Sequence, residues 1–382
     1  MKKLLSILLI LVCNLAALAQ TTPAVNQEKL LEFYQTQHYS EAAAYLKSVY
    51  GAETEDAKEL SQLAYANMMA GNLPFAEKVY LKLHEQQPAN LSVLFNLASI
   101  SRRRGDDINA KSFYLEIIKT DSLNFSVYKQ LAAMVTNPID PEKLFYLKKA
   151  NTINPVDPDV AFDLANGFNL SKKDDSAYVV LKPALAADSA NIMLMKEKLP
   201  ICLALKKLDE AIFTGAQLLN MGDSSSYVLN YMGKVYFATK QYEKSLQLFN
   251  SIEEHGDQNE LTLYYTALCY RELKDYPCAA DYMGKTIKEA ISPNVSNYYK
   301  IQGEVYEKNM QLSAADQSYQ KSLQFENKGE VYYNLGLLNE FKLHHKKTAV
   351  KYYSQFLRSK PDPEKYKEVI IYVKDRIALL QK

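Results

Sequence analysis

The chain of 382 residues carries 45 basic and 44 acidic side chains, and 48% of its residues are hydrophobic. This balance is typical of a globular protein and lacks the basic surplus that nucleic-acid or anionic-membrane partners usually require, so we expect no nucleic-acid partner. Only 12 glycines and 13 prolines occur, whereas tyrosine is abundant at 29 residues. Low glycine and proline over so long a chain favours helices joined by short turns.

The N-terminal segment 1–19 has the layout of a secretory signal peptide. Lys2 and Lys3 precede an apolar run over residues 4–12, and Ala-Leu-Ala at 17–19 stands before Gln20. A basic start, a short apolar stretch and a small-x-small cleavage site are the three parts of such a signal. We therefore expect an exported protein, periplasmic, envelope-associated or secreted, with no transmembrane segment in its mature part.

Two other interpretations of this segment remain. It could be a membrane anchor, although a bilayer requires about 20 apolar residues and the run is shorter. It could also resemble a bacterial lipoprotein signal with Cys13 as the modified residue, but Val12 stands where that signal has a small side chain. Cleavage after Ala19 is the preferred interpretation.

Downstream of the signal, side-chain size repeats with a period of about 34 residues, which is the mark of a repeat architecture. Within each unit, small residues occupy the 8th and 20th positions and a large one the 24th. Examples are Ala64, Ala76 and Tyr80, then Ala98, Ala110 and Tyr114, and later Gly233, Ser245 and Phe249. The predicted units lie near 23–56, 57–90, 91–124, 125–157, 158–191, 192–225, 226–259, 260–295, 296–328 and 329–363, and a capping helix follows at 364–382.

This pattern resembles the tetratricopeptide repeat (TPR) family. The resemblance implies an all-α fold, a right-handed superhelical solenoid of about ten helical hairpins with a C-terminal capping helix. In each hairpin the small residues at 8 and 20 would meet where the two helices approach most closely, and the bulky residue at 24 would fill space toward the next unit. Stacked hairpins bury a continuous core that no single hairpin forms alone.

Some units depart from the pattern. Pro183 and Pro200 fall inside predicted helices, where proline removes a hydrogen bond and favours a kink. The sixth unit has Leu199 at the small position and Gly215 at the aromatic one. Either this unit is a degenerate repeat tolerated within the array, or it forms a hinge between the halves. The tenth unit carries one inserted residue near 342–347.

No catalytic motif is present. The sequence has no phosphate-binding loop, no G-x-G-x-x-G and no H-E-x-x-H, the motifs that would indicate nucleotide or zinc chemistry. His344 and His345 stand together, but the adjacent lysines disfavour a metal there. Cys269 and Cys278 are interpreted as thiols, with a disulfide as the alternative. We therefore expect that the protein is not an enzyme and that it binds no cofactor or metal.

The resemblance implies that a concave groove, lined by positions 2, 5, 9, 12 and 13 of each first helix, binds a protein or peptide. Tyrosine and arginine often anchor such interfaces. The sequence therefore predicts a non-enzymatic binding scaffold of the bacterial cell envelope; a carbohydrate- or lipid-binding accessory protein is the alternative, suggested by the many tyrosines. The predicted groove residues are Tyr65, Phe95, Arg102, Arg103, Tyr227, Asn230, Lys234, Phe237, Tyr264 and Arg271.

Overall fold

A computed structural model of the chain describes residues 25–51, 54–290 and 294–381. In these ranges the protein is all-α, as the sequence predicts, with 21 α-helices and one π-helical segment, Leu338–Lys342. The predicted signal peptide lies outside the described residues. The α-helices, numbered α1 to α21, are Gln27–Gln35, Tyr39–Tyr50, Ala57–Met69, Leu73–Gln86, Leu91–Arg103, Asp107–Thr120, Phe125–Ala133, Pro141–Ile153, Pro158–Leu170, Asp174–Ala187, Ile192–Ala204, Leu208–Asn220, Ser226–Ala238, Tyr242–Glu254, Glu260–Glu272, Tyr276–Glu289, Val295–Lys308, Leu312–Phe325, Gly329–Leu337, Lys346–Arg358 and Lys367–Leu380.

The first helix of a hairpin commonly starts at a side-chain cap. Asn90 accepts hydrogen bonds from two backbone N–H groups of α5, and Asn259 forms a reciprocal capping box with Thr262 at α15. Such caps satisfy donors that the helix itself leaves free. None of the helices in the described ranges is long and apolar enough to cross a membrane.

In most hairpins of the described ranges, the turn between the two helices places one residue in the left-handed region; the turn between α7 and α8 is an exception. At Gly71 the φ angle is 84°, where glycine has no steric penalty. Four later turns use lysine instead, at the same position of successive repeats, and these lysines are exposed. They are Lys172, Lys206, Lys240 and Lys274, with φ between 57° and 66°.

Two compact units make up the chain, Met1–Gly167 and Phe168–Lys382, and the division falls within α9. In the first unit, one core cluster of buried residues runs from Leu30 to Ile100. The second contains a series of smaller clusters, each formed by neighbouring helices. The predicted boundaries of the ten repeats stay predictions, as does the handedness of the array.

The second unit shows how a hairpin closes. The Ser245 hydroxyl donates a 2.8 Å hydrogen bond to the carbonyl oxygen of Gly233, which joins positions 8 and 20. A Cβ added at Gly233 would lie 2.7 Å from Cζ of Phe249, so the aromatic residue at position 24 also packs within its own hairpin. The same ring reaches the next hairpin as well, stacking on Tyr265 at 5.8 Å between centroids.

The departures of the sixth unit from the repeat pattern are explained by local packing. Where the aromatic residue is missing at Gly215, the thioether of Met232 from the next hairpin occupies the space, and a Cβ there would meet its sulfur. Met232 and the large Leu199 belong to one buried cluster. Pro183 and Pro200 lie inside α10 and α11, which continue through them. The proposed hinge at these prolines remains a prediction.

The inserted residue of the tenth unit forms the π-helical segment between α19 and α20. The Leu343 N–H donates to the carbonyl oxygen of Leu338, five residues back, at 3.0 Å. A π-bulge is the usual way for a helix to absorb one additional residue. Beyond α20, Val373 of α21 packs with Tyr353 and Phe356, so α21 covers the apolar face of the last hairpin.

Candidate partner-binding face

In the second unit, the first helices of successive hairpins contact one another, α11 with α13 and α13 with α15. Their shared face carries a group of side chains that we call the tyrosine–lysine cluster: Tyr227, Tyr231, Lys234, Tyr264 and Tyr265. The rings of Tyr227 and Tyr231 lie 4.9 Å apart, and those of Tyr264 and Tyr265 5.7 Å apart. Pairs at such distances are favourable ring contacts.

Lys234 occupies the centre of this cluster. Its Nζ lies 4.9 Å from the ring centroid of Tyr231 and 5.8 Å from that of Tyr265, so the ammonium is bounded by two aromatic rings. Among the described residues, no carboxylate comes within 4.0 Å of it. Burial lowers the pKa of Lys234 because the charged form loses hydration.

A buried carboxyl adjoins the cluster. Glu197 on α11 is 7% exposed, and its side chain accepts a 3.4 Å hydrogen bond from Nδ2 of Asn169. Burial raises the pKa of Glu197 to about 7. The carboxyl lies close enough to Tyr227 and Tyr231 for its charge to raise the pKa of both hydroxyls further. On α13, the Oδ1 of Asn230 is buried without a hydrogen-bond partner among the described residues.

Arg271, also predicted for this face, is already paired. Its guanidinium lies 2.8 Å from the carboxylate of Glu272 and 3.8 Å from that of Glu304. Phe237 packs edge-on to Tyr265 at 5.5 Å, and Tyr264 lies 5.0 Å from Tyr298. Of the cations predicted here, Lys234 is therefore the one without an acidic partner in the described part of the chain.

The other four predicted groove residues lie in the first unit. Tyr65 is 38% exposed and edge-on to Tyr34. Phe95 borders a cleft of about 420 Å³ between the starts of α5 and α7. Arg102 donates to Gln130 at 2.6 Å, and Arg103 donates to the backbone oxygen of Met68 at 2.9 Å. Both arginines thus join neighbouring hairpins, and the four residues form no single cluster.

The sequence prediction missed three residues of the face: Glu197, Tyr231 and Tyr265. They occupy position 6 of three successive units, whereas the family pattern directs attention to positions 2, 5, 9, 12 and 13. The sequence did contain a signal for them, because the same repeat position holds a glutamate in one unit and a tyrosine in each of the next two. Their placement follows from the packing of α11, α13 and α15 against one another.

The described ranges show few features of a catalytic or metal-binding site. No group of three or more metal-ligating side chains comes together there. The thiols of Cys202, Cys269 and Cys278 are free, so no disulfide joins the last two. Burial raises the pKa of Cys202 and Cys269 to about 11, which leaves both as unreactive thiols.

These features define the chain as an α-helical repeat protein. The hairpin is that of the tetratricopeptide repeat: a small residue at position 8 contacts position 20 of the same unit, and an aromatic residue at position 24 lies over it. The contact recurs between Gly303 and Tyr319 and between Gly336 and Tyr353. The protein therefore has the tetratricopeptide repeat fold.

No family model and no curated protein matches the sequence. Solved structures similar to the chain include a tetratricopeptide repeat protein from Parabacteroides merdae, with 16% identity, 74% of this chain and 98% of that one covered, and a TM-score of 0.40. PilF of Pseudomonas aeruginosa has 18% identity, coverages of 56% and 96%, and a TM-score of 0.45. A human IFIT1 dimer with PPP-AAAA has 14% identity, coverages of 92% and 86%, and a TM-score of 0.45. We assign the fold from the hairpin geometry itself.

Proposed function

We propose that the protein is a non-enzymatic scaffold of the bacterial cell envelope that recruits a protein or peptide partner on the face formed by α11, α13 and α15. The observation that carries this proposal is the environment of Lys234. Its ammonium lies between two tyrosine rings and has no carboxylate within ion-pair distance in the described ranges. An ordered, partly desolvated cation surrounded by aromatic rings is a favourable anchor for a partner.

A photo-crosslinking residue tests where the partner binds. Placed at Tyr227, which is 39% exposed on this face, it should form one defined adduct in envelope extracts. Placed at Phe213, which is exposed on the second helix α12, it should form none. Equal adducts at both positions would overturn the proposed face.

Lys234→Glu should abolish the Tyr227 adduct, because it reverses the charge at the centre of the face. Lys240→Glu is the matched control: the same charge change at an exposed turn residue six positions away. It should leave the adduct intact. Retention of the adduct in Lys234→Glu would remove the main support for the proposal.

The alternative is a carbohydrate or lipid ligand in the same place. The half-exposed rings of Tyr227 and Tyr264 favour it, since aromatic faces are suited to stacking on apolar ring surfaces. Digestion of the adduct with trypsin followed by mass spectrometry distinguishes the two: with a protein partner, the peptide that carries position 227 is joined to a second peptide. A peptide joined to no second peptide, whose added mass is removed by glycosidase or phospholipase, would support the alternative and contradict the scaffold.

The proposed location in the cell envelope depends on residues 1–19 and is tested separately. We expect the protein, expressed in a bacterium, to reach the envelope fraction with an N-terminus at Gln20, measured by mass spectrometry of the intact chain. Deleting residues 2–19 should retain it in the cytoplasm. An unprocessed chain in the envelope would instead support the membrane-anchor interpretation.

A further inference from the structure

A second surface, remote in sequence from the tyrosine–lysine cluster, is defined by the turn between the π-helical segment and α20. We call it the basic turn patch: Phe341, Lys342, His344, His345, Lys346 and Lys347. All six side chains are exposed. His344 has a φ of 58°, in the left-handed region of a tight turn. All but the phenylalanine are basic, so the turn presents a dense group of cationic and titratable side chains.

The charge of this patch is not neutralised by the protein. No carboxylate of the described residues lies within 4.0 Å of Lys342, Lys346 or Lys347. Four acidic groups of the described residues lie nearby, and each has another partner. Glu304 and Glu307 border the same cleft as Lys342, but Glu304 lies 3.8 Å from the Arg271 guanidinium and Glu307 accepts from the Tyr319 hydroxyl at 3.1 Å. Glu340 is paired with Arg376 and accepts from the Tyr353 hydroxyl, and Asp316 accepts from Asn339 and Gln320.

The lysines also stand where a helix disfavours them. Lys346 and Lys347 are the first two residues of α20, and the partial positive charge of a helix start repels cations. In the described ranges, the second helices of the other hairpins begin without a cation at either of these two positions. An external anion at the patch would offset this repulsion, which is the electrostatic argument for a negatively charged partner.

Phe341 distinguishes among anionic partners. Its ring is 48% exposed at the edge of the patch, and the Arg376 guanidinium lies 5.4 Å from its centroid. The ring is carried by a π-helical segment, and such segments are often found at functional sites. An exposed phenylalanine next to an arginine, in a segment rich in lysine, suits the boundary between lipid headgroups and acyl chains, where apolar and cationic side chains are both stabilised.

We propose that the basic turn patch docks the last hairpin onto an anionic phospholipid bilayer, with Phe341 entering the headgroup region. The surface is separate from the partner-binding face and does not depend on the proposed scaffold function. Near an anionic bilayer each lysine strengthens binding by about fivefold, and the effect is screened by salt. Because the chain as a whole has no basic surplus, the contact depends on this local group of charges and is peripheral and reversible.

Co-sedimentation of the full chain with two kinds of vesicle tests this proposal. The protein should bind vesicles of phosphatidylcholine with phosphatidylglycerol and not those of phosphatidylcholine alone, and added salt should release it. The variant K342E/K346E/K347E should bind the anionic vesicles at least about 100-fold more weakly. Glutamate is favourable at positions 346 and 347, in the first turn of α20, whereas position 342 ends the π-helical segment, so circular dichroism is used to verify that the variant folds.

The turn lysines of the second unit provide a matched control. K172E/K206E/K240E changes the same charge by the same amount at three exposed turn positions outside the patch. It should bind anionic vesicles like the unmodified chain. An equal loss in both triple variants would show a diffuse charge effect and overturn the proposal.

Phe341→Ser separates a bilayer from another polyanion. It should weaken binding to anionic vesicles severalfold and leave any weak binding to a DNA duplex unchanged. Unchanged vesicle binding in Phe341→Ser would overturn the insertion of this ring. A chain that binds the duplex but not the vesicles would overturn the bilayer as the partner and identify a nucleic-acid surface.

Discussion

The ring of Phe249 lies so close to Gly233 that a single methyl group at the glycine would fall 2.7 Å from its Cζ. The two residues are 16 positions apart, on the two antiparallel helices of one hairpin. The ring is buried, so it has little freedom to move away. Two contacts therefore require a small residue at position 8. One is with the aromatic ring at position 24, and the other is the close approach of the two helices at Ser245.

Gly233→Ala should therefore destabilise the protein. Alanine favours a helix over glycine by about 1 kcal/mol, but overpacking a rigid core costs about 1–3 kcal/mol, and we expect the second effect to dominate. Thermal unfolding followed by circular dichroism measures the difference. Phe249→Leu in the same chain should recover part of the loss by providing room for the methyl group.

Gly284→Ala is the matched control for this substitution. Gly284 also lies inside a helix, α16, but the nearest atom to an added Cβ is Nε2 of Gln302 at 3.9 Å. This substitution should raise the melting temperature, with a gain of up to about 1 kcal/mol. If both alanine variants were stabilised, the close contact with Phe249 would not be the reason for Gly233.

Much of the hairpin geometry could be predicted because it depends on residues within a single repeat unit. Gly233 and Ser245 follow from side-chain size at fixed positions. Glu197 and Arg271 show where the prediction ends: the hydrogen bond to the first, and the second of the two ion pairs of Arg271, are made by residues of other hairpins, Asn169 and Glu304. Such contacts follow from how side chains of different hairpins meet, which a repeat pattern does not specify.

Glu197 should make stability depend on pH. With its pKa raised to about 7, the folded chain keeps a proton that the unfolded chain releases near its ordinary value of 4.5. Between these values the free energy of unfolding should fall as pH rises, by up to about 3 kcal/mol in total. The stabilising effect of the bound proton is complete at low pH and lost above pH 7.

Glu197→Gln tests this dependence, because glutamine still accepts from Asn169 and carries no charge at any pH. Unfolding in urea at a series of pH values should show a smaller slope in the variant and a higher stability at pH 8. Parallel curves for the two proteins across this range would show that Glu197 is not protonated in the folded chain.

Lys234 should release its proton more easily than other lysines. Burial between the tyrosine rings lowers its pKa. Reductive methylation with a carbon-13 label, followed by NMR at increasing pH, would resolve its resonance from those of the exposed lysines. The assignment comes from the one signal missing in Lys234→Met. A resonance that titrates with the bulk of the lysines would contradict the desolvated position.

Arg376→Leu should destabilise the last hairpin. The carboxyl of Glu340 has 4% side-chain exposure, and the Arg376 guanidinium neutralises it. Because the Arg376 side chain is itself 26% exposed, water can partly replace it, and we expect a loss of about 1–3 kcal/mol, smaller than for a fully buried pair. Replacing both, in E340L/R376L, should restore most of the loss in thermal unfolding.

A surface pair provides the comparison for this prediction. Lys328 and Glu326 lie 2.8 Å apart, but the Glu326 side chain is 52% exposed. Lys328→Ala should change stability by less than about 1 kcal/mol. A loss in Arg376→Leu no larger than that would show that the buried pair does not hold α21 against the array.

The π-helical segment at Leu338–Lys342 has a consequence for how such an array changes over evolution. One additional residue in a regular helix would turn every later side chain by about 100° and move the next contact out of register. Here Gly336 and Tyr353 are 17 positions apart rather than 16, yet the ring still covers the glycine. The π-helical segment accommodates the extra residue locally. A repeat can therefore gain a new surface loop and still keep its packing against the neighbouring repeats.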